Sequence, residues 1–256
     1  MPERQIDATY EAELLVHKFG QVLNVDTTTD PADVYDNGDA AGVPLYPWIA
    51  TAGTVSALSG SADDDGDPDT NTGAHTLTIE GCDTLFRPLS ETLTLNGQTP
   101  VVGTKVFFRV NRAFVATAGA GGTNAGEITV TVDSKIVAQI GIGNGQTLQA
   151  IYTVLDNTAA QAVRAFLQKS HAAFTGAIPA SSSVVVTLFR RLAGTGSWRT
   201  VFTSILTNNY PATADSGVLP PPGLEVAIGT DIRWTVVSTT QNNVNIVATF
   251  DVVYRP

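Results

Sequence analysis

From His75 to Tyr254 the chain is a succession of short runs in which apolar and polar residues alternate with a period of two. In HTLTIE, Leu77 and Ile79 share one face, with Thr76, Thr78 and Glu80 on the other. ETLTLNG repeats the scheme with Leu93 and Leu95, and Asn96-Gly97 supplies a turn signal. GEITVTVD sets Ile128, Val130 and Val132 against Thr129, Thr131 and Asp133. NVNIVATFDVVYR lines up Val244, Ile246, Ala248, Phe250, Val252 and Tyr254. Successive side chains of a strand point to opposite faces, so each run buries one face and needs a second sheet to cover it. Turn residues separate the runs roughly every ten positions, the spacing of antiparallel two-sheet folds. The expected fold is all-β, an antiparallel β-sandwich of jelly-roll-like character.

Composition agrees with that pattern. Charged residues make up 15% of the chain, against about 25% in an average soluble protein. Threonine, at home on a pleated and half-buried surface, takes much of their place. A hydrophobic content of 43% supports a substantial core. The net charge of −10 and a pI near 4.6 argue against nucleic-acid binding, which needs clustered cations. Arg109/Arg112 and Arg190/Arg191 are the local basic features, and within strands they read as ion-pair partners or edge residues. Cys82 is the single cysteine, so no internal disulfide can form, in keeping with a reducing cytoplasm. No run approaches the roughly 20 apolar residues of a membrane span, so a soluble protein is expected.

Two stretches depart from the strand pattern. Residues 1–50 are weakly patterned. Tyr10, Leu14, Leu15 and Phe19 would line a short helix stopped by Gly20, or ELLVHKFG is a strand. The turn-rich text from Asp26 to Pro47 reads as an extended arm packing onto something, so residues 1–50 form the expected N-terminal arm and 51–256 the sandwich. TAAQAVRAFLQK (158–169) has helical spacing in Val163, Phe166 and Leu167; an all-β setting tips it toward a strand.

The residues that could carry chemistry read as structural. His17, His75 and His171 lie in no ligand or triad spacing, and Cys82 follows Gly81 at a strand end with nothing to activate it. The glycine-rich stretches 118–127 and 141–146 match no phosphate-loop pattern and lead into strands. The acidic stretch ADDDGDPDTNTG (62–73) misses the spacing of a calcium loop: with Gly66 at position 6, Ser61 falls first and Thr72 twelfth, and both ends fail. It is expected to be a solvent-facing loop that folding does not need, a non-EF calcium site staying open. No catalytic, cofactor-binding or metal-binding residues are assigned, and no enzyme is expected.

The run IEGCDTLFRPLSETLTLNGQTPV, followed by VFFRVNRAFVATAGAGGTNAGEITV, resembles a group of virion structural proteins. They belong to tailed bacteriophages, many infecting marine bacteria including cyanobacteria. The matching residues are Ser90, Glu91, Thr94, Leu95, Asn96, Gly97, Thr99, Pro100, Val101, Arg109, Arg112, Asn124, Gly126, Ile128 and Thr129. HKFG (17–20) and the late apolar strands look similar too, so the likeness spans most of the chain. It departs at 151–163, where relatives tend to carry a proline-glycine turn and this chain has Asp156-Asn157.

The resemblance implies a non-enzymatic assembly component, made in the host bacterial cytoplasm and carried on the virion. A capsid decoration or cement protein is the first reading. It would bind the major capsid protein and neighbouring copies of itself, with a trimer by analogy. Tyr35, Tyr46 and Trp48 of the arm would then serve as amphipathic anchors. A tail, baseplate or fibre adaptor is the second reading. A carbohydrate-binding sandwich using Trp48, Trp198, Trp234 and the acidic loop is the third. No nucleic-acid or membrane partner is implied.

Overall fold

The computed structural model describes residues 14–27, 31–35, 45–67, 70–157, 164–176, 180–207, 213–214 and 223–255. Among these residues every regular element is a strand. The chain opens with β1 (Leu14–Val25) and β2 (Ala32–Asp33). It continues through β3 (Gly53–Ser59), β4 (Ala74–Cys82), β5 (Pro88–Thr94), β6 (Val101–Phe107), β7 (Arg109–Ala118), β8 (Ile128–Val132) and β9 (Lys135–Ile140). Next come β10 (Ile151–Thr153), β11 (Arg164–Phe174), β12 (Ser183–Leu192) and β13 (Arg199–Thr207). The last are β14 (Thr213–Ala214), β15 (Leu224–Val226), β16 (Thr230–Ser238) and β17 (Val244–Arg255).

All pairings between these strands are antiparallel, and they make two sandwiches, each with its own core. In the first, β6-β3-β8-β9 faces β5-β4-β7, over a core that includes Val55, Leu77, Ile79, Phe107, Ile128 and Ile140. In the second, β1-β17-β11, extended by β14 and β15, faces β10-β16-β12-β13, with β2 beside β16. Its core includes Val22, Leu167, Leu188, Ile232, Trp234, Ile246 and Phe250. The first sandwich is thus an insertion between β2 and β10 of the second. We call them the inserted and the terminal sandwich. One sandwich over 51–256 becomes two, because alternation says which face is buried but not which sheet covers it.

The expected faces are the buried ones. Val244, Ile246, Ala248, Phe250 and Val252 of β17 are fully enclosed, alternating with half-buried neighbours. In β8, Ile128, Val130 and Val132 are buried between half-buried Thr129 and Thr131. On the central strand β4, Leu77 stands opposite Leu93 of β5, and the Thr78 and Thr92 hydroxyls bond at 2.8 Å on the other face. The segment 164–169 lies in β11, paired with β17 through a bulge after Leu167. Its helix-like spacing arises because Leu167 faces the core while Phe166, on the opposite face, lies under the Arg255 guanidinium. Residues 158–163 lie outside the described set.

The arm boundary is redrawn. Of the first fifty residues, 14–25 are indeed extended, but as β1 they pair with β17 from Leu14↔Tyr254 to Val25↔Val244. The choice between helix and strand at ELLVHKFG is settled for the strand from Leu14 onward. Gly20 is required there: a Cβ would stand 2.1 Å from the Ala150 nitrogen, and only a glycine lets the backbones approach that closely. Asn96-Gly97 does turn, with Gly97 at φ 54°. It hands the chain to the facing sheet rather than closing a hairpin, since β5 pairs with β4 and β6 with β3.

Candidate functional site at the junction of the two sandwiches

Polar groups concentrate where the sandwiches meet. Arg109 of β7 is 3% exposed and Asp231 of β16 fully buried. The guanidinium addresses the carboxylate in a fork, Nε to Oδ1 at 3.1 Å and Nη2 to Oδ2 at 3.2 Å. Arg109 Nη1 also donates to the Ile49 carbonyl at 2.7 Å. Asp231 accepts further bonds from Thr153 Oγ1 at 2.7 Å and Arg191 Nε at 3.3 Å. Beside it, Asp33 accepts from the Tyr46 backbone N–H at 2.8 Å and lies 3.0 Å from Arg233. Asn111 reads the backbone of β10 in both directions: Nδ2 donates to the Thr153 carbonyl, and the Thr153 N–H donates to Oδ1.

Aromatic rings fill the space around these charges. Trp48 lies between Tyr46, at 4.9 Å, and Trp198, at 5.2 Å between ring centres. Arg191 and Arg233 sit over the Trp198 face at 4.3 and 4.1 Å. Such cation–π contacts hold a guanidinium without asking for more hydrogen bonds. Burial pushes the Asp33 carboxyl up to about 6, outweighing the lowering pull of Arg233.

A cleft of about 810 Å³ opens on the same junction, between β1 and the inserted sandwich. Lys18 lines it with only 7% exposure, and its Nζ donates to the Asn111 carbonyl at 2.6 Å. Burial, reinforced by the Arg112 charge and opposed by Glu80, pulls this ammonium down to about 7.

The acidic stretch corrects an expectation. Asp64 is fully buried. Its Oδ1 accepts from Ala74 N at 2.7 Å and Ala125 N at 2.8 Å; its Oδ2 accepts from Gly126 N at 2.8 Å and Ser59 Oγ at 2.5 Å. Asp65 bridges to Asn96. Through Asp64 the loop is therefore a clasp that ties β3, β4 and the 118–127 loop together, rather than a wholly solvent-facing connection. Asn124 fastens the neighbouring loops in the same way. It is 2% exposed, donates to the Gly126 and Gly141 carbonyls, and accepts from Gly145 N. That one side chain links the two glycine-rich stretches to each other.

The remaining expected residues are placed as follows. His17 bonds to Asp251, and His75 Nε2 lies 3.1 Å from the Asn71 carbonyl. His171 is half-buried on β11. Burial pushes the Cys82 thiol up to about 12, so it stays protonated. Of the arginine pairs, Arg109 and Arg191 go into the junction. Arg112 turns outward to Gln146, and Arg190 donates to the Glu225 carbonyl. Tyr35 and Tyr46, expected as exposed anchors, are 2% and 3% exposed and belong to the inserted core, while Trp48 is half-buried against it. Trp234 is fully buried in the terminal core.

Among the described residues no three His, Cys, Asp or Glu side chains are grouped to hold a metal ion, and no helix is long and apolar enough to cross a membrane. Sequence reasoning missed Lys18, Asp33, Asn111 and Asp231 because their partners are distant in sequence, and it could not single out Asp64 within its run of aspartates. Asn124 carried a signal, being one of the resembling residues. Comparison with protein-family models, curated proteins and solved structures finds no match.

Proposed function

We propose that this chain is a structural component of a tailed-bacteriophage virion, a capsid decoration protein that binds the major capsid shell and neighbouring copies of itself. One observation carries the reading: the residues that resemble virion structural proteins hold positions of construction. Glu91 ties β5 to β6 by accepting from Thr104 N at 2.7 Å and Lys105 N at 3.2 Å. Gly97 makes the crossing between sheets, Arg109 the junction, and Asn124 with Gly126 the clasp of the loops. Residues spent on register and crossings describe a rigid body made to be built upon. A trimer on the shell fits the analogy.

The buried Tyr35 and Tyr46 cannot serve as anchors, so shell contacts must come from elsewhere on the surface. Counting copies in purified particles of the encoding phage, with cryo-electron microscopy of the same particles, tests the proposal. Copies in fixed ratio to the major capsid protein, seated on the shell, are expected. A handful per particle at the tail would move the assignment to a tail, baseplate or fibre adaptor. Absence from the particle would end the virion reading.

A further inference from the structure

The cleft beside β1 has a geometry of its own. Six consecutive residues, Leu14 to Phe19, line it. Because side chains alternate along a strand, a cleft on one face would meet every second residue; one that meets them all runs along the strand's edge. β1 is an edge strand, with β17 on one side. On its other side the Gln21 N–H donates to the Leu148 carbonyl at 3.1 Å. By the two-residue repeat, the backbone groups of Phe19, His17 and Leu15 face the same way as those of Gln21. No described residue bonds to them, and Gln146, Thr147 and Leu148 line the same cleft. Among the described residues the edge is thus paired at Gln21 and open from there to Leu14, at about 3.3 Å per residue a length of roughly 20 Å. That is the span of an ordinary strand.

We propose that this edge receives an extended peptide segment of a partner protein, added antiparallel or parallel to β1, with one acidic side chain seated against Lys18. An open edge offers main-chain hydrogen bonds of the kind that β-strand addition uses. Charge selects the side chain. The cleft wall holds two cations, Lys18 and Arg112, against one anion, Glu80. Among the described residues Lys18 uses one of its three donor positions, on Asn111. A single carboxylate completes both the charge and the hydrogen bonds, and it restores to Lys18 the full charge that burial takes from it. Leu148 and Leu155 supply apolar walls for the alternate side chains. The inference does not depend on the virion assignment.

Panning a library of random linear nonapeptides on the intact protein tests it. Enriched sequences are expected to alternate apolar with polar residues and to share one Asp or Glu. Their synthetic forms should shift the amide resonances of Leu15, His17 and Phe19. Changing the acidic residue to its amide, or Lys18→Met in the protein, should weaken binding about tenfold. Methylating alternate peptide nitrogens, with the protein unaltered, should weaken it at least as much. The proposal is overturned if nothing enriches above an uncoated surface. It is also overturned if the methylated peptides bind undiminished, or if the resonance shifts centre elsewhere.

Discussion

Two buried carboxylates hold this molecule together in opposite ways. Asp231, at the junction of the sandwiches, is matched by charge: the forked Arg109, Arg191 beyond it, and one hydroxyl. Asp64, in the acidic clasp, has no cation among its described partners, and its oxygens are filled by three backbone N–H groups and the Ser59 hydroxyl. Both are fully buried. A carboxylate can leave water for either kind of partner if its lone pairs are filled. What differs is what is left behind when it is removed. Without Asp231, guanidinium groups are stranded in a buried site; without Asp64, neutral N–H groups are stranded near a loop surface.

That difference ranks the outcomes. Asp231→Ala should cost about 3 to 5 kcal/mol, the range for removing one partner of a buried ion pair. Arg109 sits on the inserted sandwich and Asp231 on the terminal one. Urea unfolding followed by separate probes should therefore show the two sandwiches parting company in the variant and melting together in the wild type. A loss below about 1 kcal/mol with one transition retained would mean that the junction is held by its aromatic packing alone.

Asp64→Ala should cost about 3 kcal/mol, from several donors losing an acceptor at once. Asp63→Ala, one residue away with an exposed side chain, should stay within about 0.5 kcal/mol. The pair isolates burial from composition, since both changes remove one negative charge from the same loop. Equal urea midpoints for the two variants would return the whole stretch to the role of a solvated connection.

This pair also marks how far the sequence could be read. Strand faces were legible because alternation is a local signal: Val244 to Val252 and Ile128 to Val132 are buried as their spacing says. Asp64 was illegible because nothing local separates it from Asp63 or Asp65. Its partners Ala125 and Gly126 lie 61 and 62 positions on. The same holds for β1, whose partner strand is at the other end of the chain. It holds for Tyr35 and Tyr46 too, where turn-rich text suggested an arm and long-range packing decided the burial. The junction was half visible: the arginine pairs stood out, but Asp231 and Asn111 draw their meaning from a contact between sandwiches that no periodicity encodes.

Asp33 sharpens the comparison from within the junction. Among the described residues one guanidinium contacts it where two contact Asp231, and its Oδ1, 3.0 Å from Arg233 Nη1, makes no well-aligned hydrogen bond. Incomplete compensation shows as a carboxyl raised to about 6 by burial, against about 3.9 in an unfolded chain. The folded protein therefore holds this proton more tightly than the unfolded one. The stability it contributes is fully present below about pH 4 and is lost as the pH rises through 6. The wild type should give up about 2 kcal/mol from this group over that window, while other carboxylates titrate around it. Asp33→Asn, which keeps the shape and removes the titration, should flatten that portion of the curve. Its advantage over wild type, relative to pH 4, should be largest above pH 6. A difference between the two proteins that does not change from pH 4 to pH 7 would mean that Arg233 and the Tyr46 N–H offset the burial of Asp33 in full, so that a single guanidinium is enough to keep a buried carboxylate of this junction ionised.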